Sequence, residues 1–283
     1  MLIALGMIFV VVSVLGGYVG LGGKLAVLNQ PFEVLIIFGS GASAFLIGNP
    51  PKVVKAALKS LVQMFKGSKY KSEHFLELLS LQYQIYRMLR QHGALSLEKH
   101  LEDVEESSLF TAFPLVLEDE EAVHFFTDYL RLMVMGTDNP FEIESLMEQE
   151  LEVHHREHHA VHHGLAVLGE SFPALGIVAA VLGVIKTMGA ISEPPEVLGG
   201  LIGAALVGTF LGILLSYGWF SPFAQAVKHI KEEEATFLAC IRSGLLAHLR
   251  GYAPLVSTEF ARKAIPSHLR PTFLEVEDMV NEL

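Results

Sequence analysis

The sequence predicts an all-α, polytopic membrane protein with four transmembrane helices and a helical cytoplasmic domain. Of its 283 residues, 51% are hydrophobic and only 18% are charged, and the mean hydropathy is +0.44. A soluble domain carries about 25% charged residues, so this chain is too apolar for an ordinary cytosolic protein. The charged residues are also segregated, which leaves four long stretches almost without charge. No alternating strand pattern persists anywhere in the sequence.

Four stretches are long enough to cross a membrane, because a helix needs about 20 apolar residues to span the hydrocarbon layer. The predicted spans are 2–21, 32–49, 165–191 and 197–220, and Glu33 lies at the edge of the second. The N-terminus lacks the basic segment and the small-residue cleavage site of a secretory signal. We therefore expect the first span to remain as an uncleaved signal anchor.

Lysine and arginine near the span ends predict the orientation. Basic residues cluster after the second and fourth spans: Lys52, Lys55, Lys59, Lys66, Lys69, Lys71, Lys228, Lys231 and Arg242. The loop 22–31 carries only Lys24, and the loop 192–196 carries no basic residue. Both termini are therefore expected in the cytoplasm, and the two outer loops are expected to be too short to fold.

This orientation divides the chain into four parts. Residues 1–51 hold the first two transmembrane helices, and residues 52–164 form a cytoplasmic helical domain. Residues 165–221 hold transmembrane helices three and four, and residues 222–283 form a cytoplasmic C-terminal helical segment.

Periodicity and end signals predict the first cytoplasmic helix over 73–90, with Gly93 as its stop. Ser96 is expected to cap the next helix, which has Glu98 in its first turn. A further amphipathic helix is predicted over 118–135.

Two long helices are expected to continue the membrane spans into the cytoplasm. Asn139 and Pro140 are typical of a helix start. From there a helix over 141–163 is expected to run into the third span, and residues 222–250 are expected to prolong the fourth.

Composition excludes several classes of protein. The net charge of −11 argues against a nucleic-acid binder, which would present a basic face. The single cysteine, Cys240, excludes a disulfide framework and a multi-cysteine metal site within the chain. Neither a nucleophile–base pair nor a phosphate-binding glycine loop indicates an enzyme. Inverted repeats and midplane polar groups, which favour a solute transporter, are missing.

No Asp or Glu lies in the middle of any predicted span, although ion movement needs a titratable or coordinating group at depth. Glu170 falls near the cytoplasmic end of span three, and Lys186 falls near its outer end. If this chain takes part in ion transport, another molecule must supply the carboxylate.

Small residues recur along the third and fourth spans, and such stripes allow close helix approach. The stripe in span four comprises Gly200, Ala204, Gly208, Gly212 and Ser216, and the shorter one in span three begins at Gly176 and Ala180. One interpretation is packing within the chain. The other is a ring of identical subunits whose spans three and four surround a foreign helix.

Three further positions have both a structural and a functional interpretation. Thr209 is the only hydroxyl in the middle of span four, and such threonines often bond back to the preceding turn. Pro173 removes a backbone donor within span three and is expected to kink or loosen the helix, either as a static bend or as a hinge. Pro222 lies where span four leaves the membrane.

Six histidines occur on one predicted helix: His154, His155, His158, His159, His162 and His163. Several pairs have the i,i+4 spacing that zinc or nickel ligands use. Acidic residues surround them and no HExxH motif is present, which favours a solvated polar stretch over a metal site. A pH-sensitive role is a further interpretation.

Several stretches resemble the MotA family of flagellar stator subunits, within the wider group that includes the ExbB and TolQ proton-channel proteins. The matching segments are GESFPALGIVAAVLGVIKTMGAI (169–191), VGTFLGILLSYGWFSP (207–222), RQHGALSLE (90–98), DYLRLMVMGTDNPFEIESLMEQE (128–150) and GYAP (251–254). The resemblance covers nearly the whole chain and keeps the order of four spans with a large loop between the second and third.

This resemblance implies a pentamer in the bacterial inner membrane that surrounds a dimer of a single-span, peptidoglycan-anchored partner, MotB. The partner supplies the membrane aspartate, which accounts for the missing carboxylate. Ion flow would turn the pentamer, and its cytoplasmic face would push the rotor protein FliG. No cofactor is implied apart from the transported ion.

The resemblance also implies roles for particular residues. Arg90, Glu98 and Glu150 match charges that contact the rotor or are implicated in function. Pro173 matches a proline near the partner aspartate, and Pro222 matches one implicated in coupling to torque.

Other matching positions concern the ion path and the partner. Thr209 matches a threonine that lines the ion path. At Ala180, sodium-driven relatives tend to have threonine, whose hydroxyl could coordinate the ion; the alanine therefore predicts protons. The glycine stripe of Gly176, Gly200, Ala204, Gly208 and Gly212 is expected to pack against the partner.

Two alternatives remain open at this stage. Arg90 and Glu98 could simply complement helix dipoles, each for about 0.3–1 kcal/mol. The chain could also serve as an ExbB/TolQ-type energiser of an envelope transport complex, although four spans and the cytoplasmic charges argue against it.

Overall fold

The computed structural model describes residues 2–282 and contains only helices and loops within them. Helices α1 (Leu2–Gly20), α2 (Leu25–Leu28), α3 (Pro31–Gly48) and α4 (Pro51–Lys66) come first, followed by α5 (Ser72–His92), a 3₁₀ turn (Ala94–Leu97), α6 (Glu98–Glu102), α7 (Ser108–Thr111), α8 (Pro114–Leu117) and α9 (Glu120–Val134). The chain continues as α10 (Pro140–Met188), α11 (Pro195–Leu215), a π-helical turn (Ser216–Phe220), α12 (Ser221–Leu249), α13 (Pro254–Lys263) and α14 (Phe273–Glu282).

Four helical stretches are long and apolar enough to cross a membrane, which confirms the predicted number of spans. They are Leu2–Gly20, Leu25–Gly48, Pro140–Met188 and Pro195–Leu249. The two long ones also confirm that spans three and four continue as helices beyond their apolar stretches; the cytoplasmic location of these extensions stays a prediction. Large apolar side chains on them remain exposed in the isolated chain, as expected for surfaces that face lipid or other subunits.

The chain forms two compact units. The first comprises residues 1–67 and 157–230, and the second comprises residues 68–156 and 231–283. Two of the boundaries between these units fall inside α10 and α12. The predicted division at the ends of the membrane spans stays a prediction.

Helix α4 belongs to the first unit because its apolar face packs there. Ala57 and Met64 are buried in a cluster with Val161, Leu165 and Val227. The positive charges of α4 lie away from this cluster: Lys52, Lys55, Lys59 and Lys66 are exposed. Lys52 forms an ion pair with Glu157 at 2.6 Å.

The outer loop 22–31 is more ordered than the sequence predicted. It contains α2, a single turn over Leu25–Leu28, whose Val27 approaches Gly203 of α11. The expectation that this loop is too short to fold is therefore wrong, because even four apolar residues gain a packing surface on the neighbouring span.

The second unit has a conventional hydrophobic core formed by α5, α9, α12 and α13. Its fully buried side chains include Phe75 and Tyr86 of α5, Phe126 of α9, Phe237 of α12 and Ile265. Arg262 fastens the chain end to this core, because it donates to both carboxylate oxygens of Glu259 and to the carbonyl oxygen of Pro271.

The predicted helix ends are mostly found as expected. Gly93 and Gly136 follow α5 and α9 with φ of 77° and 92°, a backbone region that favours glycine. Asn139 Oδ1 accepts a hydrogen bond from the Phe141 N–H at the start of α10. The predicted cap at Ser96 is wrong: this residue lies within the 3₁₀ turn, and its hydroxyl donates to the Gly93 carbonyl at 2.6 Å.

Candidate functional site

Spans three and four pack through their backbones. A Cβ atom added to Gly176 would lie 2.7 Å from the carbonyl oxygen of Gly208. One added to Gly212 would lie 2.5 Å from the carbonyl oxygen of Phe172, and one added to Gly183 would lie 2.7 Å from the Ala205 Cβ. These contacts leave no room for a side chain, so small residues are required at this interface.

This geometry separates the predicted small-residue stripe into two groups. Gly176, Gly208 and Gly212 lie in the contact between the two spans of one chain, which agrees with the interpretation of packing within the chain. Their packing against a partner stays a prediction. Gly200 faces open space, and Ala204 is half-buried. The role of Gly200 and Ala204 toward a partner stays a prediction.

Thr209 and Ala180 lie beside this glycine contact. The Ala180 nitrogen would lie 3.0 Å from a Cβ added to Gly208, the residue that precedes Thr209. Both side chains are half-buried. Within residues 2–282 the Thr209 hydroxyl has no hydrogen-bond partner, whereas the Thr187 hydroxyl donates to the Gly183 carbonyl at 2.9 Å. The back-bonded interpretation of Thr209 therefore does not describe this structure.

Helix α10 runs without interruption through Pro173, and the irregular hydrogen bonding occurs in the neighbouring span instead. The carbonyl of Gly169 loses its usual donor because Pro173 has no N–H. A Cβ added to Gly169 would lie 3.3 Å from the Ser221 nitrogen, just after the π-helical turn. Pro222 is the second residue of α12 and directly follows this region.

Arg90 and Glu98 lie on either side of a tight reversal in the second unit. Arg90 is in the last turn of α5, and Glu98 is the first residue of α6. Both side chains are exposed, and neither forms an ion pair or hydrogen bond with any other described residue. Leu97, buried beside Glu98, anchors the reversal to the core.

Glu150 has a different environment. Its Oε2 accepts a hydrogen bond from the Tyr129 hydroxyl at 2.6 Å. Burial and this carboxylate raise the pKa of Tyr129 well above its usual range. His154 lies 3.9 Å from Glu150 and 2.9 Å from Glu121. Glu150 is thus held within its unit, in contrast to Arg90 and Glu98.

The histidine-rich stretch does not assemble a metal site in the described part of the chain. Among residues 2–282, no three His, Cys, Asp or Glu side chains are placed to hold a metal ion. His159 stacks on His163 at 5.9 Å between ring centroids, and His154 contacts Glu121. These histidines therefore contact neighbouring rings and carboxylates in the folded chain.

One polar residue that the sequence placed at a span edge is buried. Glu33 in the first turn of α3 is only 8% exposed. It lies in phase with Ile37 and Gly41, which are also buried. This i,i+4,i+8 pattern was the signal that could have identified Glu33, since a residue in phase with a buried face is itself buried.

These features define a class of protein: a polytopic helical membrane protein whose last two spans pack backbone to backbone and whose second unit presents charges that are unpaired within the described residues. Comparisons with known proteins identify the family. Residues 4–93 match the motility protein A N-terminal model, and residues 118–239 match the model of the MotA/TolQ/ExbB proton channel family.

Full-length relatives agree with these matches. Motility protein A of Escherichia coli is 44% identical over 99% of this chain and 95% of its own length. Chemotaxis protein LafT of Vibrio parahaemolyticus is 38% identical over 98% of both chains. The chain belongs to the motility protein A family.

Two solved structures share the fold. The structure of C. jejuni MotAB has a TM-score of 0.77 at 23% identity and covers 94% of this chain and 95% of that one. The flagellar MotAB stator complex from Bacillus subtilis has a TM-score of 0.69 at 28% identity and covers 90% and 92%. The protein is therefore a flagellar stator channel subunit of the inner membrane and not an enzyme.

Proposed function

We propose that five copies of this chain surround a dimer of a single-span, MotB-type protein, and that proton flow turns this ring against the rotor protein FliG. The observation that carries the proposal is the 44% identity to a motility protein A over 99% of the chain. The solved relatives are complexes of MotA with MotB, which supports a partner of that kind.

The chemistry of the spans supports a partner that brings the ion-binding carboxylate. Between Glu170 and Lys186, span three carries no charged residue, and span four carries none after Glu196. The unpaired Thr209 hydroxyl is the polar group that span four offers at that depth. One charge that crosses 100 mV releases about 2.3 kcal/mol, which is enough to drive a rotational step.

The transported ion is a proton in this proposal. Ala180 lies beside the contact between spans three and four, and its methyl group cannot coordinate sodium. Sodium needs several oxygen ligands, whereas a proton needs only one titratable group. We expect swimming speed to be unchanged when potassium replaces sodium at constant pH, and a collapse of speed would contradict the choice of ion.

The rotor contact uses Arg90 and Glu98. Both are exposed, unpaired within the described residues and fixed by a buried anchor, so their charges are available to a partner surface. Glu150, which is bonded to Tyr129, acts in this proposal by holding the unit together near the rotor surface. Pro173 and Pro222 flank the irregular region that would relay the movement of the spans.

The proposal places both termini and the second unit in the cytoplasm. The exposed lysines of α4 support this orientation, because basic residues are retained on the cytoplasmic side.

Motility rescue tests the proposal. The chain and its neighbouring single-span gene are expressed in a flagellated strain without stator genes, either intact or with Glu98→Lys. Glu73→Lys is a matched control, because Glu73 is also an exposed carboxylate in the first turn of a helix, at the opposite end of α5. We expect the intact pair and the control to swim and Glu98→Lys to lose torque at unchanged membrane abundance.

The control separates the two interpretations of these charges. A dipole role predicts the same small loss of stability for both variants, about 0.3–1 kcal/mol. A rotor contact predicts a selective defect that a reversed charge on FliG restores. If the intact pair inserts and co-purifies but never restores swimming, even with its own rotor protein, the chain instead energises an envelope complex of the ExbB/TolQ type.

A further inference from the structure

Glu33 is a buried acid in the membrane part of the chain that the proposed ion path has not used. Glu33 is only 8% exposed, and its Oε2 has no hydrogen-bond partner within residues 2–282. No other described residue forms an ion pair with it. An ionisable side chain within a span is costly to keep there and usually marks an ion or proton pathway.

The packing of α3 on α10 places Glu33 well below the outer end of span three. Gly164 opposes Asn49, and eight residues further along α10, Phe172 opposes Gly41, eight residues earlier in α3. The two helices are therefore antiparallel, and equal numbers of residues along each cover the same distance. A further eight residues on each helix places Glu33 at about the level of Ala180, about 12 Å below the end of α10.

The segment that precedes Glu33 is recessed to a similar depth. Val27 of α2 lies 4.0 Å from a Cβ added to Gly203, and Gly203 is eight residues into α11, or about 12 Å from its start. Two polar residues, Asn29 and Gln30, connect α2 to α3. Asn29 is exposed and Gln30 is half-buried, so polar residues directly precede the first turn of α3, which holds Glu33.

An unpaired carboxylate in this environment favours its protonated form. Ionisation without a partner in an apolar site is opposed by the loss of hydration. A protonated carboxyl group is neutral and can still release its proton when water or another base reaches it.

We propose that Glu33 is a proton-binding site in the outer half of the ion path, which loads protons from outside before they reach the carboxylate of the partner. The proposal rests on the function proposed above. The Glu33 carboxylate accepts a proton from outer water, which forms the carboxylic acid, and returns the same proton to water within the path. No other bond forms or breaks.

Infrared spectroscopy of the full stator complex in lipid tests the site directly. We expect the C=O stretch of a protonated carboxylic acid, shifted in D₂O, and its loss in Glu33→Gln. Glu170→Gln is the matched control, because Glu170 is also in a membrane span but is exposed in the chain; this variant should keep the band. A spectrum in which Glu33→Gln removes only ionised carboxylate signal would overturn the proposal, because it would mean that a cation from another chain pairs with Glu33.

Motility gives the second readout. We expect Glu33→Gln to assemble normally and to lose swimming most severely in alkaline medium, where outer protons are scarce, while Glu33→Asp retains part of it. Wild-type speed for Glu33→Gln in both acidic and alkaline media would contradict a role in proton loading. If Glu33→Gln fails to accumulate, the site is tested by the swimming of Glu33→Asp and by the infrared spectrum of the wild-type complex. A wild-type complex that shows the band but never supports swimming would count against the proposed function and not against this site.

Discussion

Individual residues in the second unit show how burial sets their chemistry. His248 stacks on Tyr86, with ring centroids 4.9 Å apart and an angle of 9° between the rings. Its Nδ1 is buried and has no hydrogen-bond partner in the part of the chain that the structure describes. Burial, together with the nearby Arg90 charge, lowers the pKa of His248 to about 4. The neutral imidazole is therefore the form that the folded unit favours.

This shift predicts that the second unit loses stability on acidification. The unfolded chain binds a proton at His248 near pH 6.5, whereas the folded chain does so only near pH 4. Stability is therefore constant above about pH 6.5 and falls as the pH drops toward 4. We expect a loss of about 1–2 kcal/mol, discounted because the side chain is partly exposed.

Hydrogen exchange of the full chain in lipid measures this effect through the peptides of α5 and α12. His248→Phe keeps a ring on Tyr86 and should remove most of the pH dependence in this window. A variant that loses protection on acidification as steeply as the wild type would assign the effect to other groups.

At the scale of helices, the contact between spans three and four depends on missing side chains. Gly176, Gly208 and Gly212 allow the backbones of the two spans to approach closely. Close packing is needed here because the hydrophobic effect does not drive helices together within lipid. The sequence predicted the stripe of small residues. It did not predict whether the stripe packs within the chain or against another subunit, because spacing alone does not identify the partner of a helix.

Gly212→Ala is therefore expected to separate the two spans. The added methyl group would lie 2.5 Å from the Phe172 carbonyl oxygen, and backbone at that position cannot move aside cheaply. We expect a cost of about 1–3 kcal/mol, seen as reduced membrane abundance and reduced thermal stability in detergent. Gly200→Ala, in the same helix but facing open space, should have no effect on the isolated chain. Equal losses for both variants would contradict the packing explanation, because alanine has a higher helix propensity than glycine and causes no loss by itself.

Much of the fold followed from sequence because its signals are local. Uncharged stretches predicted the spans, Gly93 and Gly136 predicted helix ends, and Asn139 predicted the start of α10. The prediction of Ser96 as a helix cap was wrong because its hydroxyl donates a hydrogen bond to the Gly93 carbonyl within a 3₁₀ turn. Tertiary contacts, such as the recess that buries Glu33, have no local signature beyond its phase with Ile37 and Gly41.

For the whole molecule, the distribution of charge predicts which side of the membrane each segment occupies. The loop between spans three and four lacks basic residues, whereas exposed lysines cover α4. This asymmetry is typical of a chain whose short loops face outward. Cys240, the only cysteine, is buried, and burial raises the pKa of its thiol well above its usual range.

Thiol labelling checks this orientation against a low background. Ser192 lies in the loop between spans three and four and Ser267 in the C-terminal segment, and both are exposed. We expect Ser192→Cys to react with a membrane-impermeant maleimide in intact cells. Ser267→Cys should react only after permeabilisation, and the parent chain should remain unlabelled because Cys240 is inaccessible. External labelling of Ser267→Cys would reverse the topology.

The π-helical turn at Ser216–Phe220 has a consequence for how this region tolerates changes in length. Such a turn holds one residue more than the α-helix it interrupts. Deleting one residue there would restore a regular helix and leave Thr209 and Pro222 on their present faces. A deletion elsewhere in α11 would rotate everything that follows by about 100°. Natural deletions that preserve function should therefore concentrate in these five residues.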